Sequence, residues 1–285
     1  MEKLEFITKK SGQLFEQILE YRRTLNYSML QTLLRKRDIK VNDKRISSNI
    51  NTSSGDKITL FLNDKKQKNI QKLFEDKNII VAVKPQGLEV TKKDKAFLDS
   101  DSLEEILHAT ACHRLDKNTE GIVIFAKNKE AETALTQAFK EHNIQKKYYV
   151  IVSGKVKPNL VTLENYLKKY QNYAKICKKT EKNAKFAKLS YKVIKQKDDL
   201  FLLEVDLFTG RFHQIRAQLS NQGIFVLGDE KYGNKAINKK YHTTKQQLCA
   251  YFIQFGNLQK PVEYLSQKTF TINPAFSIDN FDIKK

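Results

Sequence analysis

The chain has 285 residues, 40% of them hydrophobic, enough for one large core or for one large and one small domain. Its apolar runs fall far short of the ~18 residues a membrane helix needs, and "MEKLEFITKK" at the start has neither an apolar core nor a small-residue cleavage site, so no membrane span and no signal peptide are expected. Lys and Arg number 52 against 32 Asp and Glu, a formal net charge of +20, an excess that a polyanion relieves by counterion release and that biased composition in a lysine-rich proteome would also produce.

Residues 12–64 read as a small α/β unit. "GQLFEQILEYRR" places Leu14, Phe15, Ile18 and Leu19 on one helical face. Ser28 can cap a second helix, with Met29, Leu30, Leu33 and Leu34 inward and Arg35, Lys36 and Arg37 near its end. "IKVNDKRI" then reads as a hairpin around Asn42 and Asp43, and "GDKITLFL" as a closing strand. Of the eight arginines in the chain, five fall here: Arg22, Arg23, Arg35, Arg37 and Arg45. Where lysine is the default cation, arginine marks places where a planar, bidentate fork has geometric value. Basic residues at a helix C-terminus also complement its dipole, which accounts for two arginines more easily than for five. The unit is therefore expected to grip RNA through Arg22, Arg23, Arg35, Lys36, Arg37 and Arg45.

A linker over 65–74 separates this domain, 1–64, from a second one over 75–285. The second domain is strand-rich: "NIIVAVKP", "GIVIFAK", "KYYVIVSGKV", "KLSYKVIKQ", "LFLLEVDLF" and "LCAYFIQF". Helices are predicted over 128–141, capped by Asn128 with Ala131, Leu135, Ala138 and Phe139 on one side, and over 211–220. Many strands with few helices predict an α+β fold with a mixed, mainly antiparallel sheet. The segment 164–188 interleaves Tyr166, Tyr170 and Tyr173 with lysines; it reads equally as an RNA surface or as an amphipathic stretch with half-buried tyrosines. Cys112, Cys177 and Cys249 form no C-x-x-C pair, and no Gly-rich phosphate loop occurs. A reducing cytosol, no disulfide, no metal and no cofactor are expected.

Four segments carry chemistry: "VKPQG" (83–87), "HRLDKNTEG" (113–121), "TGRFHQIRAQ" (209–218) and "GDEKYG" (228–233). In the third, Gly210 permits a turn and Arg211 is expected to open a helix, whose free N–H groups and dipole would favour an anion. Asp116 is the acid two residues from the arginine of the other arginine-bearing motif, and a pair between Asp116 and Arg211 would fix its direction as a nucleophile requires. A purely structural salt bridge explains the same pair.

These segments resemble a known family. "HRLDKNTEGIVIFAKN" is similar to the signature of the large-subunit-type (RluA-like) pseudouridine synthases, usually H-R-L-D-x-x-T-S-G, and "TGRFHQIRAQL", "GDEKYG", "KKYYVIVSG" and "EDKNIIVAVKPQG" resemble its other motifs in family order. "LQTLLRKRDIKVNDKRISSNINTSSGDKIT" resembles a small RNA-binding domain first seen in a small-subunit ribosomal protein, with Met29 and Asp38 where that family has arginine and glycine. The resemblance implies an RNA pseudouridine synthase, with large-subunit ribosomal RNA as the expected substrate. The same chemistry on transfer RNA, or a non-catalytic RNA-binding or ribosome-assembly role, are the alternatives. It also implies Asp116 as the nucleophile, Tyr148 as base platform or proton-transfer group, and Arg211 as partner of Asp116. Arg114 would then reach phosphate or fill the vacated stack, with Lys146, His113 and His213 in the substrate site; a lone histidine is more often structural. No cofactor, a cytoplasmic location and a monomer follow from the same reading. Two departures stand out: Glu120, expected to face solvent, replaces the usual Ser, and Cys249 replaces a frequent His.

Overall fold

A computed structural model describes residues 2–22, 25, 27–62, 69–92 and 102–282. The chain divides into two compact units, Met1–Asn69 with Lys92–Ser102, and Ile70–Thr91 with Leu103–Lys285.

The first unit contains β1 (Glu2–Ile7), β2 (Gly12–Gln13), α1 (Leu14–Tyr21), α2 (Tyr27–Arg35), β3 (Ile39–Val41), β4 (Lys44–Arg45), β5 (Asn51–Thr52) and β6 (Lys57–Leu62). Its sheet runs β1-β6-β3-β4, antiparallel throughout. Asn42 and Asp43 take φ of 49° and 63°, the pair of left-handed residues that a two-residue hairpin turn requires. Asn42 also accepts the Lys57 N–H at 2.9 Å and donates to Asp56 at 2.8 Å, so its side chain closes the turn. The apolar spacing of α1 and α2 delivers Leu14, Phe15, Ile18 and Leu30 onto Ile39, Ile58 and Leu60. Helix α2 begins at Tyr27, so Ser28 lies within it rather than before it.

The second unit contains β7 (Lys72–Glu75), β8 (Ile79–Lys84), α3 (Leu103–Leu107), β9 (Thr110–Ala111), β10 (Glu120–Ala126), α4 (Lys129–Lys140) and β11 (Ile144–Gly154). It continues with β12 (Val161–Lys169), β13 (Ala174–Cys177), β14 (Lys185–Lys197), β15 (Leu200–Leu207), α5 (Gln214–Asn221), β16 (Ile224–Val226), α6 (Lys235–Lys240), β17 (Leu248–Phe255) and β18 (Thr269–Thr271). Because β7 starts at Lys72, the last residues of the predicted linker are strand, while 65–68 lie outside the described residues. The main path of the sheet is β13-β12-β14-β15-β11-β17-β10-β8-β7. All its described neighbours are antiparallel except β10 and β17, which run parallel.

The continuous apolar runs of β8 and β10 are explained by burial on both faces. Ile79, Val81, Ile122 and Ile124 enter one core with Ala131 and Leu135 of α4, and Ile80, Ala82, Val123 and Phe125 enter the other with Leu219 of α5. Alternation along each strand makes this division. Asn128 caps α4 by accepting the Ala131 N–H at 2.9 Å, as its sequence predicts. The helix predicted from 211 instead begins at Gln214. His213 stands before it in the left-handed region at φ 54°, and the Gln214 side chain accepts from Arg211 N at 2.9 Å and Thr209 Oγ1 at 2.8 Å. Those bonds hold 209–213 as a turn. Where β10 passes β17, Gly121 has φ 132°, and a Cβ there would run into the backbone of Ala250. Among the described residues no helix is long and apolar enough to cross a membrane.

Candidate active site

Strand β8 ends at Lys84, which is fully buried and donates to the carbonyls of Pro85 (3.0 Å), Leu88 (2.7 Å) and Lys117 (2.9 Å). A lysine out of water needs such partners, and here they fasten the 113–119 loop to the sheet. Thr119 tightens the same loop, donating its N–H to the Asp116 carbonyl at 3.0 Å and accepting from Gln246 Nε2 at 2.8 Å. Asp116 is thus held just ahead of β10, at a cavity of about 640 Å³. His113, Arg114, Lys146, Tyr148, Arg211 and His213 line that cavity with it, so residues up to a hundred positions apart meet in one place.

The guanidinium that holds Asp116 is Arg216, which corrects the expected pair with Arg211. Arg216 Nη1 donates to Asp116 Oδ2 at 2.8 Å, while its Nε and Nη2 bind both oxygens of Asp229 at 2.6 and 2.9 Å. Its Cζ lies 4.9 Å from the Tyr232 ring centre. The reason is the start of α5: Arg216 falls in its first turn facing inward, whereas Arg211 precedes the helix and donates Nε to the Phe186 carbonyl at 2.8 Å. Burial works against the charge of Arg216, but the hydrogen bonds and charges of Asp229 and Asp116 outweigh it and raise its pKa. Burial likewise works against ionised Asp229, and the Arg216 hydrogen bond, joined by the backbone N–H groups of Lys231 and Tyr232, brings its pKa down.

The two histidines line the cavity, and each is tied to a neighbour through one ring nitrogen. His113 Nε2 accepts the Ile124 N–H at 3.1 Å, and burial, with help from Lys146, lowers its pKa to about 3. His213 Nδ1 lies 3.0 Å from Tyr232 Oη, and burial lowers its pKa to about 4 against the opposing charge of Asp116. Both are neutral near pH 7. Burial and the Arg211 charge pull Lys146 down to about 8. Tyr148, on β11, is buried, and burial followed by the Asp116 charge pushes its pKa up, so its phenol keeps its proton. Arg114 is exposed at the cavity rim.

Glu120 does not face open solvent as expected. It is half-buried, accepts the Ala275 N–H at 2.9 Å, and lies opposite Cys249 in the parallel β10–β17 register. Burial, then the Glu120 charge, raises the Cys249 thiol pKa. The two departures from the family pattern are therefore one contact.

In the first unit Arg35, Lys36, Arg37 and Arg45 are exposed and Arg22 is half-buried, while Arg23 lies outside the described residues. Sequence reasoning passed over Lys84, Arg216, Asp229 and Tyr232 as site residues. The available signal was that Arg216 and Asp229 sit inside two of the short motifs already singled out.

A family model described as RNA pseudouridylate synthase matches residues 78–221. "Ribosomal large subunit pseudouridine synthase C" of Rickettsia felis is 31% identical over 75% of this chain and 79% of its own length. A Mycoplasma capricolum protein named "Uncharacterized RNA pseudouridine synthase" is 30% identical over 95% of this chain and 97% of its own. Among solved structures, human RNA Pseudouridylate Synthase Domain Containing 1 superposes with TM-score 0.57 at 19% identity, over 76% of this chain and 95% of that one, a likeness of fold.

Proposed function

The chain belongs to the RNA pseudouridylate synthase family, and from that premise we propose that it isomerises uridines of large-subunit ribosomal RNA in the cytoplasm, with Asp116 as the nucleophile. The carrying observation is the Asp116 carboxylate at the cavity, fixed through Oδ2 by an arginine that is itself anchored on buried Asp229.

Pseudouridine formation breaks the glycosidic C–N bond and joins the same sugar carbon to a ring carbon of the uracil. The proton lost from that carbon is matched by the one gained on the released nitrogen, so no redox partner is consumed. The anomeric carbon departs with cation-like character, which a carboxylate stabilises or captures. A direction-fixed carboxylate lowers the cost of reaching the reactive geometry. The uridine must leave its stack to arrive there. In this reading Tyr148 is the platform for the base and, as a neutral phenol, a proton donor rather than a base. Arg114 at the rim meets phosphate or fills the vacated stack. Lys146 contributes positive charge to the substrate site, and the exposed basic residues of the first unit add RNA affinity. Arg216 takes the partner role that the sequence assigned to Arg211.

Asp116→Asn tests the proposal. The variant is expected to bind ribosomal RNA with near-normal affinity and to form no pseudouridine in it. Undiminished modification would refute the catalytic assignment. Pseudouridine maps of cellular RNA with and without the protein identify the target; sites lost only from transfer RNA would overturn the ribosomal substrate.

A further inference from the structure

Beside the Asp116 cavity lies a second one of about 380 Å³, lined by Lys169, Lys185, Asn183, Arg211 and Phe212. The two share Lys169, Gly210, Arg211 and Phe212 as a common wall. Among the described residues no Asp or Glu lines the second cavity, and Asp116 is the only one lining the first. The neighbouring lysines on the same strands differ: Lys168 pairs with Glu181 at 3.2 Å and Lys188 with Glu164 at 2.8 Å. Alternation along β12 turns Lys168 and Lys169 to opposite faces. Lys169 lies instead over the Phe212 ring, 5.1 Å from its centre. Arg211 spends its Nε on the Phe186 carbonyl, which fixes the direction of the terminal fork. Cations gathered without acids repel one another, and an anion relieves that repulsion.

We propose that this second cavity binds a backbone phosphate of the RNA next to the target uridine, through Lys169, Lys185 and Arg211. The proposal rests on the RNA-isomerising reading above and gives it a substrate-positioning subsite. It also gives Arg211 a role once Arg216 has taken the contact with Asp116. A phosphate held here anchors the strand on one side of the extruded nucleotide, so the sugar is presented to Asp116 from a fixed direction.

The test uses the full chain and unmodified large-subunit ribosomal RNA transcribed in vitro, with initial rates of pseudouridine formation and filter-binding affinity across a salt series. The double variant K169Q/K185Q is expected to raise KM and Kd about tenfold or more, with a smaller effect on kcat. Its slope of log affinity against log salt should fall by about 1.4, since two phosphate-facing charges are gone. K169R/K185R should restore both. The charge-matched control K168Q/K188Q removes lysines already paired with acids and should change the slope by less than about 0.5. An unchanged KM and slope in K169Q/K185Q, or an equal loss in the control, overturns the subsite. Wild-type protein that forms no pseudouridine in this RNA counts against the substrate reading instead, and the binding arm still decides the phosphate site.

Discussion

Replacing Arg216 with lysine keeps the charge and removes the fork. Arg216 makes three charge-assisted hydrogen bonds, at 2.6 and 2.9 Å to Asp229 and at 2.8 Å to Asp116. An ammonium is a point charge that cannot span both oxygens of Asp229 and still reach Asp116. Two of the three bonds are lost, at about 1.5 kcal/mol each, so the unit loses roughly 3 kcal/mol of stability. For a domain of this size that is a Tm lower by about 6–12 °C. Asp116 meanwhile loses the bond that directs it, and 1.5–3 kcal/mol of lost positioning corresponds to a kcat lower by about 10- to 160-fold. The assay is single-turnover pseudouridine formation at saturating RNA and 20 °C, after circular dichroism has established that the variant is folded. Arg211→Lys is the comparator: it should raise KM and leave kcat much closer to wild type. A folded Arg216→Lys enzyme with kcat within about threefold of wild type, or a larger kcat loss in Arg211→Lys, would refute the reasoning.

Lys84→Met strips the carbonyls of Pro85, Leu88 and Lys117 of a common donor, and that of buried Leu88 has least access to water; thermal unfolding should reveal a loss of about 1.5–3 kcal/mol, and the loosened Asp116 loop a lower kcat. Gly121→Ala forces a Cβ into the Ala250 backbone at a φ of 132° and should cost about 3 kcal/mol or more in denaturant titrations. Lys146 is protonated below its pKa of about 8 and neutral above it. RNA affinity should therefore fall between pH 7 and pH 9 by about fivefold, the worth of one charge-assisted contact, and Lys146→Gln should abolish that part of the pH dependence.

Much of this was legible in the residues. The Asn128 cap, the Asn42-Asp43 turn and the β-strand runs are local signals, decided by hydrogen bonds and side-chain alternation within a few positions. The family likeness, and with it the roles proposed for Asp116 and Tyr148, rested on motifs in their chain order. Arg216 was harder. Arg211 and Arg216 lie five residues apart in one motif, and which of them faces Asp116 depends on where α5 starts. That start is set by the Gln214 side chain gripping Thr209 and Arg211 and by the left-handed His213, features that composition and spacing do not reveal. Glu120 and Cys249 were each visible as departures, but only the parallel β10–β17 pairing makes them neighbours.

The sequence by itself determined most of the elements, because periodicity and turn residues act locally, while the class of chemistry and the RNA partner came from the resemblance of its motifs, with the net charge in agreement. The tertiary structure decided the partners: Arg216 for Asp116, Asp229 for Arg216, three carbonyls for Lys84, and open cavities for Lys169, Lys185 and Arg211. Those are long-range choices among chemically equivalent groups, and only the packing of strands and helices brings one of them, rather than another, within hydrogen-bond reach.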